Sequence, residues 1–218
     1  MLVKERVGIN VSRNQCKRAK QKVIKILIGQ YAKEYGQVWE YAWECRLQNP
    51  TSRVYVEVIE RPLPDHGTKF DKFYVCFDAC RRGFLAGCRR IIGLDGCFLK
   101  GLCKGELLAA IGRDANNQMF PLAWAIVKIE NKDNWSWFLK NMMADLEITN
   151  EEGWAFMSDQ QKGLVPTVAE LLPHAEHRMC ARHIYENWAK NYKGDKLQLQ
   201  FWQLAKSANM ADFRIAKE

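Results

Sequence analysis

The spacing of hydrophobic and polar positions changes twice along the first part of the chain. Between residues 16 and 36, apolar side chains recur at helical spacing among lysines, which predicts a helix. Residues 41–50 show no clear period, and we expect irregular structure there. Residues 51–59 alternate valine with polar or aromatic side chains, which predicts a strand. The run RPLPDHG at residues 61–67 is typical of a loop and marks the expected end of this N-terminal part.

Further along, segments of strand length and helix length follow one another regularly. Strands are predicted at residues 70–77, 90–94, 106–113, 120–127, 154–157 and 175–179. Helices are predicted at residues 78–88, 134–146, 162–172 and 183–192, with Asp78 and Asn134 as N-caps of the first two. From residue 90 onward the order is therefore β-β-β-α-β-α-β-α, which is the order of the ribonuclease H fold.

This order predicts an α/β (α+β) protein with a ribonuclease H-like mixed sheet flanked by helices, preceded by a small N-terminal module of helix and strand. We expect three parts. Residues 1–66 are the N-terminal module, a candidate for DNA contact. Residues 67–192 are the ribonuclease H-like domain, and residues 193–218 are the start of a truncated C-terminal helical region.

Two of the predicted strands run into an aspartate. The strand at residues 90–94 is followed by Asp95, and the strand at residues 154–157 is followed by Ser158 and Asp159. A carboxylate is costly in an apolar core, but at the edge of a sheet it can hold a divalent cation. Two such aspartates, separated by a hairpin pattern and an amphipathic helix, predict a metal-dependent phosphoryl-transfer site.

The charge of the chain favours a polyanionic partner. Its 33 Lys+Arg against 25 Asp+Glu give a net charge of +8 and a pI near 9.1. Five basic residues share a face of the first predicted helix, and this face is either a solvated surface or a contact surface for a DNA backbone. They are Lys17, Arg18, Lys20, Lys22 and Lys25.

The cysteine pattern and the absence of apolar runs suggest the compartment. The eight cysteines include no C-x-x-C pair and lie in apolar stretches, which predicts free thiols in a reducing compartment, the cytosol or the nucleus. The N-terminus has no apolar signal segment. No run approaches the roughly 18 apolar residues of a membrane span, so we expect no membrane association.

Five blocks of the chain resemble, in the same order, the blocks of the catalytic domain of plant Mutator-like (MULE/MuDR) transposases. They are LDGCFLKG at 94–101, FPLAWAIV at 120–127, WSWFL at 135–139, SDQQKGL at 158–164 and HRMCARHIYENW at 177–188. The resemblance covers about residues 89–192. Residues 51–88 also resemble the segment that precedes this domain in the family.

The resemblance implies a DDE-type recombinase in which two Asp and one Glu hold two Mg²⁺ or Mn²⁺ ions. Asp95 matches the first catalytic and metal-binding acid, and Asp159 matches the second. In the family the third acid lies far downstream of a C-x-x-H block. We expect that acid to be missing from this chain, because none of its remaining acids can be matched to the third position. These acids are Glu186, Asp195, Asp212 and Glu218.

The missing acid leaves two hypotheses open. The chain is either part of a transposase that cleaves and transfers DNA strands, or a catalytically inactive, transposase-derived DNA-binding or regulatory protein. The resemblance further implies DNA as partner, in particular transposon terminal inverted repeats, and a nuclear location. Self-association is left open.

Cys180 and His183 match the C-x-x-H block, and we expect them at the junction of the last strand and the following helix, beside the acidic pair. Zinc is not expected, because four ligands within ten residues would have to curl around one ion. A structural role and a functional role for His183 both remain open. Four basic residues near these blocks are candidate DNA contacts. They are Arg178, Arg182, Lys100 and Lys104.

Overall fold

The computed structural model describes residues 10–60, 68–101 and 104–217, together with Arg6 and Gly8. The helices are α1 (Arg13–Gly36), α2 (Val38–Gln48), α3 (Asp78–Gly87), α4 (Lys132–Asp145), α5 (Leu164–Leu171), α6 (Ala181–Trp188), α7 (Asp195–Ala205) and α8 (Met210–Lys217). The strands are β1 (Arg53–Glu60), β2 (Thr68–Cys76), β3 (Cys88–Phe98), β4 (Glu106–Asp114), β5 (Met119–Val127), β6 (Ala155–Ser158) and β7 (Glu176–Met179).

Within the described residues, seven strands form one sheet in the order β1-β2-β5-β4-β3-β6-β7. The pairs β1–β2, β2–β5, β5–β4 and β4–β3 are antiparallel, whereas β3–β6 and β6–β7 are parallel. Parallel neighbours need a crossover, and the chain supplies one before β6, containing α4, and one before β7, containing α5. The predicted ribonuclease H-like mixed sheet flanked by helices is therefore confirmed.

The main core lies between α4 and the central strands. On α4, Trp135, Phe138, Leu139 and Met142 are fully buried. Burial of each such large side chain stabilises the fold by about 1.5–3 kcal/mol. Buried side chains of β3 and β4 belong to the same core, among them Ile92 and Leu94 of β3 and Leu108 and Ala110 of β4. This packing places the ends of β3 and β6 next to the start of α4.

The first strand does not form a sheet of its own. β1 pairs with β2 along its whole length and thereby joins the same sheet as the central strands. The predicted loop at residues 61–67 lies outside the described residues, and the predicted division into three parts stays a prediction. At the C-terminal end, α6 and α7 share a small aromatic cluster that includes Tyr185, Trp188, Phe201 and Trp202.

The expectation of irregular structure at residues 41–50 is wrong, because most of this segment is helix α2. Three small or medium side chains at helical spacing, Val38, Ala42 and Cys45, make the contact of α2 with the cluster of Val54, Phe73 and Val75, and Ala42 is the one fully buried. Larger aromatic side chains of α2 remain exposed, so apolar residues do not mark one side of the helix. Helix α1 also begins earlier than predicted, at a capping box formed by Ser12 and Gln15.

Both predicted N-caps are wrong. Asp78 is the first residue of α3, and its carboxylate instead pairs with Arg81 at 2.8 Å and Arg82 at 2.6 Å. The hydrogen bond from Arg81 holds the pKa of Asp78 below its usual value. Helix α4 begins one turn earlier than predicted, because the side chain of Asn131 accepts the N–H of Asn134 at 2.9 Å.

Candidate functional site at the acidic edge of the sheet

Asp95 lies inside β3, opposite Ala109 of β4. The prediction that the strand ends before Asp95 is wrong, because β4 pairs with β3 as far as Phe98. The parallel partner β6, however, pairs with β3 only up to Gly93. Asp95 therefore lies beyond the end of β6, where its side chain is 48% exposed.

Asp159 follows β6 directly and is held by a short chain of hydrogen bonds. Its Oδ1 accepts the backbone N–H of Gln161 at 3.1 Å. The buried Ser158 hydroxyl donates to the Asp159 carbonyl at 2.8 Å, and Nε2 of His177 on β7 lies 2.8 Å from the same hydroxyl oxygen. Because that hydroxyl proton is already used, His177 donates through Nε2. Burial lowers the pKa of His177, which favours this neutral form.

The loop after Asp159 is clamped to the start of α4. Nε2 of Gln161 donates to the backbone carbonyl of Glu130 at 3.1 Å. Oε1 of Gln161 accepts the N–H groups of Gly163 and Leu164. A Cβ on Gly163 would lie only 2.7 Å from the backbone nitrogen of Lys132, so the glycine permits this close backbone contact. The clamp fixes the Asp159 loop against the segment that carries Glu130.

Glu130 is an acid of this edge that the sequence reasoning did not identify. It lies between the end of β5 and Asn131, and its Oε1 accepts the indole N–H of Trp135 at 3.0 Å. Its carboxylate occupies the space over Gly96, where a Cβ would lie 2.8 Å from Oε1 and 2.9 Å from Oε2. The sequence did carry a signal for this acid, because Glu130 follows the strand predicted at residues 120–127 and precedes the helix predicted at residues 134–146.

The pKa of Glu130 is raised. Burial is the main cause, and the negative charges of Asp159, Glu106 and Asp95 act in the same direction. Glu106, the first residue of β4, is only 8% exposed. Its Oε2 is buried and has no hydrogen-bond partner among the described residues. Three acids thus act on Glu130 at this edge, two from the predicted pair and Glu106, which the topology adds.

Arg182 is the predicted DNA contact that lies at this edge. Its Nη2 is 3.7 Å from Oδ2 of Asp95, and its Nη1 is 3.6 Å from Oε1 of Glu186, one turn further along α6. Both ion pairs are exposed, so each contributes about 1 kcal/mol or less to stability. Glu186, which matched no family position, is thereby linked to Asp95 through Arg182.

The C-x-x-H pair lies at the expected junction of β7 and α6. Cys180 is the N-cap residue of α6, and its backbone N–H donates to the Ser158 carbonyl at 2.7 Å. His183 is in the first turn, with Nε2 3.2 Å from Nη2 of Arg182. Its Nδ1 is buried and has no hydrogen-bond partner within the described part of the chain. The backbone of Cys180 therefore supports the strand next to Asp159, whereas His183 contacts Arg182, and the functional role of the pair stays a prediction.

The other candidate DNA contacts do not converge on the acids. Arg178 pairs with Glu176 on the same strand at 2.7 Å. Lys100 and Lys104 are exposed on the connection after β3. Within residues 10–60, 68–101 and 104–217, no three His, Cys, Asp or Glu side chains lie close enough together to form a metal site as they stand.

The sheet order, with Asp95 and Asp159 just beyond the last parallel pairing of β3 with β6, defines a ribonuclease H-like domain with an acidic edge. Residues 91–187 match the family model of the MULE transposase domain, a segment that includes Asp95, Glu130, Asp159 and Arg182. This match confirms the resemblance to Mutator-like transposases and indicates a transposase-type function, for which DNA is the general partner. A search of curated proteins finds no match to the chain. None of the helices in the described ranges is long and apolar enough to cross a membrane.

Proposed function

We propose that this chain carries the catalytic domain of a Mutator-like transposase, which cleaves and transfers DNA strands with Mg²⁺ or Mn²⁺. The observation that supports the proposal best is the parallel pairing of β3 with β6, which brings Asp95 and Asp159 to one edge of the sheet inside the matched segment. Ends of adjacent parallel strands are a common place for functional residues in α/β sheets.

The donor atoms at this edge fit a hard divalent cation. Mg²⁺ and Mn²⁺ prefer carboxylate oxygens, and Asp95 and Asp159 would hold them. Glu106, whose buried Oε2 has no hydrogen-bond partner among the described residues, is a further acid that acts on Glu130 of the same edge. Two bound ions would activate a water or a 3′-hydroxyl and stabilise the leaving oxygen at a DNA phosphate.

The chain's own residues prepare this edge for the reaction. The Ser158–His177 hydrogen bonds and the Gln161 clamp hold the Asp159 loop in place. Arg182 is exposed beside Asp95 and is placed to contact a DNA phosphate that approaches the acids. Terminal inverted repeats as the DNA partner, a nuclear location and self-association belong to the same proposal.

The test is cleavage of plasmid and oligonucleotide DNA in Mn²⁺ or Mg²⁺ by the wild type, by Asp95→Asn and by Asp159→Asn. Glu152→Gln, an exposed acid on the turn before β6, is the matched control. We expect metal-dependent nicking that both aspartate variants lose and the control retains. Equal nicking by all four proteins would overturn the proposal.

One observation favours a second function, that of a DNA-binding protein without catalysis. The guanidinium of Arg182 already places a positive charge 3.7 Å from Asp95, which a cation would have to displace or share. For this function we expect DNA binding that weakens steeply with salt and survives the Asp95→Asn, Asp159→Asn double substitution. Salt-independent binding, or none, would contradict it.

A further inference from the structure

We infer that helix α1 binds the phosphate backbone of a DNA duplex that reaches the acidic edge of the sheet. This inference rests on the proposed function for the identity of the partner. It adds a DNA-binding surface outside the segment matched by the family model. The surface is a row of basic side chains on one face of α1, called here the basic row. Its members are Arg18, Lys22, Lys25 and Lys33.

Helix α1 holds most of the positive charge of the chain. Its 24 residues include seven basic side chains and one acid, Glu34, whereas the whole chain has a net charge of +8. None of these seven side chains forms an ion pair or a hydrogen bond with a described residue, in contrast to Arg81, Arg82 and Lys132, which pair with acids of the chain. The helix is also exposed along almost its whole length. Unpaired positive charge concentrated on an exposed helix favours a polyanionic ligand.

The basic row follows the period of the helix. Its members are separated by four, three and eight residues, which places them on one face. Lys17 and Lys20 lie on the other side of α1, so the prediction that they share a face with Arg18, Lys22 and Lys25 is wrong. The row spans about 22 Å, because each residue advances the helix by about 1.5 Å. A duplex covers that length in about six base pairs, so the row can contact several successive phosphates.

The side of α1 opposite the basic row contacts the sheet. The ring of Tyr35 lies 5.1 Å from the ring of Phe70 near the start of β2. The hydroxyl of Tyr31 lies beside Gly101 on the connection after β3, where a Cβ would be 3.7 Å from that oxygen. Because β2 and β3 run in opposite directions, the start of β2 and the end of β3 lie at the same edge of the sheet. The C-terminal half of α1 is therefore attached to the edge that carries Asp95.

The connection after β3 carries further positive charge between the attachment of α1 and the acids. Lys100 and Lys104 are exposed on either side of Gly101 along the chain. Arg182 lies 3.7 Å from Asp95 at the same edge. A DNA backbone held by the basic row therefore meets more basic side chains where it approaches the acidic edge.

Basic helices also bind anionic membrane surfaces, by inserting their apolar side into the lipid. In α1 the side opposite the basic row contacts the sheet through Tyr31 and Tyr35, so it is not free for lipid. Contact with DNA phosphates needs the basic row alone. The arrangement of α1 on the sheet therefore favours DNA.

The inference is tested with the full chain by fluorescence anisotropy of a labelled DNA duplex over a range of salt concentrations, without divalent cations. The double variant Arg18→Gln, Lys22→Gln removes two exposed charges of the basic row. The control Arg89→Gln, Arg113→Gln removes two exposed charges from the opposite edge of the sheet, where β3 begins and β4 ends. We expect the first variant to weaken binding about tenfold at low salt and to lower the slope of log affinity against log salt by about two. The control should change both quantities little.

Lys25→Gln, Lys33→Gln is a second variant of the basic row, and it decides the question if Arg18→Gln, Lys22→Gln loses helix by circular dichroism. Wild-type affinity and salt slope in the variants of the basic row would overturn the inference, and so would absence of DNA binding by the wild type. Sedimentation with phosphatidylserine vesicles tests the membrane alternative. Vesicle binding that the variants lose, while they keep wild-type affinity for DNA, would overturn the inference in favour of lipid.

The nicking assay with Mn²⁺ separates this inference from the proposed function. Nicking by the wild type, with wild-type DNA binding in Arg18→Gln, Lys22→Gln, would overturn the role of α1 and leave the proposed function standing. Weakened DNA binding in that variant, without nicking by the wild type, would support the role of α1 and contradict catalysis.

Discussion

Asp145 and Glu106 are both buried acids, and they are compensated in different ways. Asp145 ends α4, where the hydroxyl of Tyr74 donates to its Oδ2 at 2.6 Å and Arg53 lies 3.6 Å from its Oδ1. Burial raises the pKa of Asp145, while these two partners favour its charged form. This acid has donors from its own chain, and its environment is that of a structural residue.

The Oε2 of Glu106 has no such donor among the described residues, and the charge of Glu106 acts on another acid, Glu130. The segments that carry Glu130 and Asp159 are held by backbone contacts at Gly163 and by the Gln161 side chain. The difference teaches that burial alone does not identify a functional acid. Asp145 has partners from its own chain and supports the fold, whereas Oε2 of Glu106 has none among the described residues.

The largest effect should come from Gly163→Ala, because the acidic edge is held by backbone contact. A Cβ there would lie 2.7 Å from the nitrogen of Lys132, and backbone cannot move aside easily. We expect a loss of about 3 kcal/mol in the free energy of unfolding, measured by urea denaturation. Gly87→Ala, with no atom within 4 Å of its Cβ, is the control and should change stability little. A similar free energy of unfolding for both variants would mean that Gly163 is not in tight contact with the backbone of Lys132.

Tyr74→Phe should have the next largest effect, because it removes the donor of the buried Asp145 carboxylate. We expect a loss of about 2 kcal/mol in the same denaturation experiment. Tyr55→Phe is the matched control, since Tyr55 stacks on Tyr74 but its hydroxyl makes no hydrogen bond to a described residue. An unchanged stability in Tyr74→Phe would show that Asp145 does not need its partner, and the contrast with Glu106 would disappear.

Glu106→Met should give the opposite sign from Tyr74→Phe. It replaces a buried acid without a partner by an apolar side chain of similar length, so we expect stability to be unchanged or raised by about 1 kcal/mol. Thermal and urea denaturation without divalent cations would measure this. A loss as large as that of Tyr74→Phe would show that Glu106 has structural partners, and its contrast with Asp145 would not hold.

The smallest effect concerns pH. His177 has a lowered pKa because it is buried, so below pH 6.5 the unfolded chain binds a proton that the folded chain resists. The contribution of neutral His177 to the free energy of unfolding is therefore complete above pH 6.5. It is lost as the pH is lowered through the folded-state pKa of His177. We expect His177→Gln to flatten this part of the melting-temperature profile, and His174→Gln, at an exposed position, to leave its slope unchanged. If the melting temperature of His177→Gln fell more steeply with acid than that of the wild type, the lowered pKa of His177 would be contradicted.

Much of the fold could be predicted because each long strand and helix has its own apolar period. Helix α4 is an example, since its buried residues recur at helical spacing and are visible without any partner. Helix α2 was missed because its contact residues, Val38, Ala42 and Cys45, are small or medium in size, while the large aromatic side chains that dominate its sequence are exposed. The predicted end of β3 was also wrong. The pairing of β3 beyond Asp95 depends on β4, a separate strand, and not on the residues near Asp95.

For the candidate site, the sequence by itself determined where two acids follow or approach the end of a strand, at Asp95 and Asp159. Their metal-binding role stays a prediction. Only the tertiary structure decided that Glu130 and Glu106 join them and that Arg182 pairs with Asp95. The physical reason is that a local period depends on neighbouring residues. The electrostatic effect of acids from β3, β4 and the β6 loop on Glu130 depends on the order in which the strands pair.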